Sequence, residues 1–305
     1  MASMLDSPNM KVFIDAFYTV GNSTQRITPG YIPTKFESFW LSLFENRNEA
    51  ITFCLIAFTH HMLVYYLRYL PYYIADFIPS LQKYKLQPDK VISNEQWWKC
   101  FRVLTFSEFC VQLPMMLLFF PAATLIGFEF SVPLPPFKEI ALQCLAFLFI
   151  EDTYHYFAHR AMHIPFLYKK IHKVHHEYSA PFGITAEYAH PIETMILGQG
   201  TIGGPLFFAF CVQKVHVFTM LCWITVRLWQ TVEAHSGYDF PWALNHWFPL
   251  WAGAEHHDYH HMAFVNNFAS TFRHWDRIFG TDTSYLKYYY QRIAKKNSPS
   301  PKKVQ

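Results

Sequence analysis

The sequence predicts an all-α integral membrane protein, and three observations carry that expectation. Hydrophobic residues make up 52% of the 305-residue chain and charged residues only 15%, against about a quarter charged in a typical soluble domain. Apolar runs of membrane-spanning length recur along it. Its 17 histidines gather into clusters spaced for helix faces. Together these predict about four to five membrane helices with a cytosolic helical cap that carries the histidines. The length offers one large domain.

Met1 to Asn48 is mixed and polar, without the basic-then-apolar order of a cleaved signal peptide. The first apolar run, Ala50–Leu70, must therefore direct insertion itself; His60, His61 and Arg68 make it an imperfect span. The second, Val103–Phe128, has Glu108 near its start and prolines at 114 and 121. Pro133, Pro135 and Pro136 then break the chain. A third run, Ile140–Ile150, is too short to span alone and leads into Glu151-Asp152 and the first histidines. One long helix leaving the membrane fits it. The fourth, Ile192–Glu233, is about twice a spanning length with Gln213 and Lys214 in its middle, which fits a hairpin. Gly198, Gly200, Gly203, Gly204 and Pro205 should loosen or kink its first half.

Basic residues orient these runs. Lys83, Lys85, Lys90, Lys99 and Arg102 lie between the first two, while Glu129–Lys138 holds one lysine. The positive-inside rule puts the former loop in the cytosol. Residues 151–191 and 235–305 then share that side, so distant histidines can meet. The tail Ala294–Gln305 is basic and Ser/Pro-rich, hence expected to be disordered. Its Lys302 and Lys303 resemble the dilysine retrieval signal of endoplasmic-reticulum membrane proteins. The organisation expected is a polar segment (1–49), membrane segments (50–137), a catalytic domain (138–286) and a flexible tail (287–305).

Several classes are excluded. A net charge of +3 with no basic stripe argues against nucleic acid. Six scattered cysteines give no disulfide framework or zinc knuckle. No GxGxxG follows a predicted strand and no Cys-x-x-Cys-His is present, so electrons for any redox chemistry must come from a partner. Lys169, Lys170, Lys173, Arg273 and Arg277 are a candidate dock for an acidic carrier, or face solvent or phospholipid.

The histidines are the main chemical signal. They form His155-x-x-x-His159, His172-x-x-His175-His176 and His257-x-x-His260-His261. Residues three and four apart share a helix face, so three converging helices would offer eight nitrogens to two metals. His163 and His274 stand beside the clusters and are left outside this ligand set. An all-imidazole site suits a redox-active pair, with iron the usual choice for activating oxygen. A structural zinc site needs only about four ligands, often cysteine. Neutral ligands leave such a pair strongly charged, so carboxylates are wanted around it. Asp152, Glu177 and Asp258 are the candidates, with Glu151 and Glu255 nearby. His60, His61, His216 and His246 read as structural histidines.

At these clusters the sequence resembles the fatty acid hydroxylase superfamily, with its H-x3-H, H-x2-HH and H-x2-HH boxes. The strings EDTYHYFAHR, IHKVHHEYSAPFG, AEYAHPIET, EAHSGYD and GAEHHDYHHMAFVNNFASTFRHWDRIFGTD resemble its methylsterol monooxygenase branch, over residues 75–286. The resemblance implies that His155, His159, His172, His175, His176, His257, His260 and His261 bind two ferrous ions. His190 and His235 match family histidines outside the boxes, as ligands or as their supports. It implies an endoplasmic-reticulum enzyme of sterol biosynthesis that oxidises a C-4 methyl group to alcohol, aldehyde and carboxylate with molecular oxygen. Electrons would come from NAD(P)H through cytochrome b5 or a similar carrier, and a separate decarboxylating dehydrogenase would act next. The sterol would enter from membrane lipid, with Phe182–Tyr188 and the hairpin as candidate walls. The alternatives are another di-iron lipid hydroxylase or sterol C-5 desaturase, or, in a different class, a zinc-dependent membrane hydrolase.

Overall fold

A computed structural model describes residues 7–297; the Lys302-Lys303 pair lies outside them. Every regular element among the described residues is helical, with only isolated β-bridges between loops. Caps and prolines set where the helices begin. Helix α1 (Pro8–Ala16) follows Ser7, and α2 (Lys35–Ser42) opens with a Thr34/Glu37 capping box. Asn48 caps α3 (Glu49–Ala75). A second capping box, Ser93 with Gln96, starts α4 (Asn94–Ser107). This helix passes through a π-turn, Glu108–Gln112, into α5 (Leu113–Ile126). Helix α6 (Phe137–Met162) follows Pro136. Helix α7 (Pro191–Cys211) starts on proline, and the His216 ring caps α8 (Val217–Ala234). Helices α9 (Gly253–Ala263), α10 (His274–Phe279) and α11 (Thr283–Asn297) follow.

Three of these are long and apolar enough to cross a membrane: α3, the continuous α4–α5 rod and α7. Helices α6 and α8 fall outside that set, so the expectation of four to five spans depends on adding one or both. Their cores are apolar, but α6 carries Glu151, Asp152, His155 and His159, and α8 carries Arg227, Gln230 and Glu233. These polar ends serve the site described below.

Both ends of the described stretch, residues 7–297, pack against the rest of the chain. Trp40, Leu41 and Phe44 join Phe53, Phe119 and Phe120 in one core, and Arg26 pairs with Glu49 at the start of α3. At the other end α11 runs through position 286 to Asn297, and its Arg292 pairs with Glu255 of α9.

Helix α7 is unbroken despite its glycines. They serve close packing instead: a Cβ on Gly200 would lie 2.7 Å from the Tyr154 ring of α6. Small residues at helix crossings have this use where no hydrophobic force drives association. Pro205 has no N–H for the Thr201 carbonyl one turn back. Trp223 of α8 donates to that carbonyl instead, at 2.8 Å. A larger side chain at the crossing must displace Tyr154. Gly200→Leu should cost about 1–3 kcal/mol, read as a lower unfolding temperature in detergent; an unchanged midpoint would refute the close crossing.

Candidate metal centre

Histidines of α6, of α9, of the 163–176 segment and at the C-terminal cap of α8 meet. Two groups form, each offering ligand nitrogens within 4.8 Å of one another: His159, His163, His172, His176 and His260, and His175, His235, His257 and His261. The groups abut, with the His176 and His261 ring centroids 4.8 Å apart. Residues of α6 and α9, distant in sequence, touch here: the rings of His159 and His260 are 4.5 Å apart.

The second cluster is not on a regular helix as its spacing predicts. His172 ends a π-turn, Tyr168–His172, and His175 and His176 lie on a 3-10 turn. That irregular path splits neighbours, sending His172 and His176 to one group and His175 to the other.

Ring orientation follows from the backbone. The Nδ1 atoms of His159, His175, His235, His260 and His261 face the carbonyl oxygens of Phe268, Tyr188, Thr231, Asn266 and Tyr178, at 2.6–3.1 Å. A carbonyl only accepts, so each Nδ1 carries the proton and each Nε2 presents a lone pair. His172 instead turns Nδ1 to Glu193 Oε1 at 2.7 Å. The Nε2 atoms then face one another: His172 lies 3.1, 3.0 and 3.0 Å from His159, His163 and His176, and His257 lies 2.9 and 3.2 Å from His235 and His261. Where both Nδ1 atoms are engaged outward, as in His159 and His172, the two inner lone pairs repel unless a cation lies between them. The donor set therefore fits metal ions. Burial, reinforced by neighbouring imidazoles, holds His163 and His175 down to about 4 and keeps His257, His260 and His261 well below the ordinary imidazole range. These rings are neutral, hence ready to ligate, at neutral pH.

Of the eight box histidines, seven lie in the two groups. His155 belongs to neither; it lines the adjoining cavity with its Nδ1 3.5 Å from Glu151. His163, set aside on the sequence, stands in the first group. It follows His159 by one helical turn, which is the signal that could have included it. His235 joins the second group, whereas His190 joins neither and caps α7 through its Nδ1. His274 lies 3.8 Å from Asp152 and is also outside both groups.

The three carboxylates expected around the rings do other work. Asp152 accepts from the Thr271 and Phe272 N–H groups at 2.7 and 3.1 Å, tying α6 to the loop before α10. Glu177 pairs with Lys99 and accepts from the Tyr188 hydroxyl. Asp258 accepts from Gln87. Neighbouring positions on a helix point in different directions, so adjacency to a ligand does not bring a carboxylate to its ring. Glu193, which does hold a ring, is brought there by the fold.

A cavity of about 390 Å³ adjoins both groups. His159 and His172 of the first and His175, His235 and His257 of the second reach its surface. Met115, Leu118 and Ala122 of α5 and Leu197 and Ile202 of α7 give it apolar walls. Within Phe182–Tyr188, Ala186 and Glu187 line it. His61 does so too and faces Glu187 at 3.1 Å, so it is more than a core histidine.

Helices fit to cross a membrane, joined to a polyhistidine centre at an apolar cavity, define a membrane metalloprotein. The family model described as fatty acid hydroxylase matches residues 144–281, which contain every member of both groups. The C-4 methylsterol oxidase erg25 of Schizosaccharomyces pombe is 45% identical, covering 88% of this chain and 90% of that protein. Methylsterol monooxygenase erg25B of Aspergillus fumigatus is 46% identical over 77% of this chain and 80% of its own. Methylsterol monooxygenase 1 of Danio rerio is 40% identical over 96% and 97%, so the likeness reaches into the first 49 residues as well. No solved structure gives a significant match. The chain belongs to the fatty acid hydroxylase family, on its methylsterol monooxygenase branch.

Two measurements check the centre. Elemental analysis of purified protein should show metal loss in His163→Ala but not in His190→Ala, and Glu193→Gln should weaken metal affinity about 10–100-fold. Equal metal content in His163→Ala and the parent would remove His163 from the ligand set. The second concerns acid. On unfolding, His163 and His175 return from about 4 to the ordinary 6.5. The unfolded state then binds more protons between those values. Metal-free protein should hold its stability above about pH 6.5 and lose it as pH falls toward 4. A midpoint flat across that range, by thermal unfolding, would contradict the neutral rings.

Proposed function

We propose that this chain oxidises the C-4 methyl group of sterol intermediates through alcohol and aldehyde to carboxylate, using molecular oxygen at each step. The observation that carries the reading is the junction of the two histidine groups with an apolar cavity walled by membrane-competent helices. Its volume of about 390 Å³ falls in the range of small-molecule pockets, about 300–1,000 Å³. The names of the relatives support the substrate class.

The seven grouped box histidines, with His163 and His235, would hold two ferrous ions. Such a pair, once bound, supplies from oxygen an oxidant able to break an unactivated methyl C–H bond, which no side chain can do. The chain's own part is placement. Backbone carbonyls hold five of the imidazoles in one tautomer. Methionine, leucine and alanine side chains of α5 and α7 bind the apolar ring system and keep water from the reacting carbon. Arg227 at the cavity wall is held between Glu151 and Gln230 and keeps the polar side of the site paired.

Electrons would come from NAD(P)H through cytochrome b5 or a similar carrier. Lys169, Lys170 and Lys173 are exposed beside the second box and suit an acidic partner. The carboxylate product requires a decarboxylating dehydrogenase. The reading places the chain in the endoplasmic-reticulum membrane with the metal centre and C-terminus cytosolic, and assigns Lys302 and Lys303 to retrieval.

Expression in cells blocked in sterol C-4 demethylation should restore a profile without 4-methylsterols. His176→Ala should fall more than about 100-fold, since loss of an outer support alone costs 10–100-fold. Accumulation of 4,4-dimethylsterols beside abundant parent protein would refute the assignment.

A further inference from the structure

The same cavity carries a second polar cluster, separate from the metal centre. His61 of α3 and Gln112 of the π-turn each donate to one oxygen of Glu187, Oε2, at 3.1 and 3.0 Å. The other oxygen, Oε1, has no hydrogen-bond partner among the described residues, and it is not among the buried unpaired atoms. All three side chains line the cavity. Glu187 therefore offers a free acceptor to the cavity, beside the apolar walls of α5 and α7.

This arrangement is built rather than incidental. Ionisable groups within a membrane interior are costly and mark functional sites. π-turns inside helices also concentrate at such sites, and this one places both Glu108 and Gln112 on the buried side of the α4–α5 rod. Tyr66 donates to Glu108 at 2.9 Å. Tyr65 takes the Glu187 N–H and donates to the Ile184 carbonyl, fixing the backbone that carries the carboxylate. Glu187 also directly precedes Tyr188, whose carbonyl holds His175 of the metal centre. The free acceptor is thereby tethered to the metal end of the cavity.

A ligand with an apolar body and one hydroxyl donor suits the apolar walls and the unpartnered Glu187 oxygen. Resting on the proposed reading, a sterol has its hydroxyl on C-3, the carbon bonded to C-4. We propose that Glu187 Oε1 accepts a hydrogen bond from the sterol 3-hydroxyl, with His61 and Gln112 clamping the carboxylate, and that this contact selects the ring end and face presented to the metal centre. Glu187 is then a specificity-determining residue that touches substrate.

The test compares a 4,4-dimethylsterol with its 3-deoxy counterpart. Binding to purified protein is read by displacement of a fluorescent sterol, and C-4 oxidation is read in parallel. Wild-type protein should bind the alcohol about 10–100-fold more tightly, the worth of a hydrogen bond to a charged group. In Glu187→Gln, with unchanged metal content, the gap should shrink to roughly fivefold or less. Gln112→Leu should give an intermediate gap. Equal wild-type binding of the two sterols would overturn the proposal without any variant, as would a full gap in a folded Glu187→Gln. C-4 oxidation without discrimination defeats the anchor alone. Selective binding without C-4 oxidation defeats the functional reading and leaves the anchor standing.

Discussion

The centre depends on one recurring contact: a backbone carbonyl that takes the outer N–H of an imidazole. Five rings are held this way. The contact fixes the tautomer, so the inner nitrogen has no proton to share with its neighbours. The five rings whose donors point outward, with His172 turned to Glu193, have no proton to share with one another at their inner nitrogens. The cluster is thereby prepared for a cation, with most of its inner lone pairs turned to a common centre.

That arrangement explains why the segments around the centre are irregular. Carbonyls inside a helix are already taken by N–H groups four residues on. Most free ones must come from loops, and four of the five acceptors, at Phe268, Tyr188, Asn266 and Tyr178, lie outside helices. Phe264, Asn266 and Asn267 adopt positive φ just after α9, a conformation that asparagine tolerates better than most residues. The turn they form brings two of the acceptors back onto histidines of α6 and α9. Asn267 secures it by donating to the His256 carbonyl at 3.2 Å. Helices deliver the rings, and loops aim them.

The same division separates what the sequence reveals from what it hides. The long α6 and the α7–α8 hairpin are legible because their apolar runs and proline breaks are local. Histidines at intervals of three and four are legible for the same reason. His163 is nearly so, being one turn beyond His159, but it falls at the helix end where the pattern stops. Glu193 is a full segment away from His172 and reaches it only through tertiary structure. Asp152, Glu177 and Asp258 mislead because chain proximity is not shared direction. The ordered N-terminal segment is hidden differently: Trp40, Leu41 and Phe44 are spaced among polar residues and show their apolar face only once helix α2 is formed.

A single stretch of chain, from His172 to Glu193, links the two ends of the site. It supplies three box histidines, the carboxylate that holds one of them, the carbonyl that holds another, and the acceptor facing the cavity. The distance from that acceptor to the His175 ring is set by one short, hydrogen-bonded path rather than by the packing of separate helices. Helices in a bilayer shift and tilt against one another at modest cost. A substrate oxidised repeatedly at one carbon must keep its register through such movement. Placing the acceptor one residue before the carbonyl that holds a metal-facing ring makes the two move together, so register survives changes in the surrounding bundle.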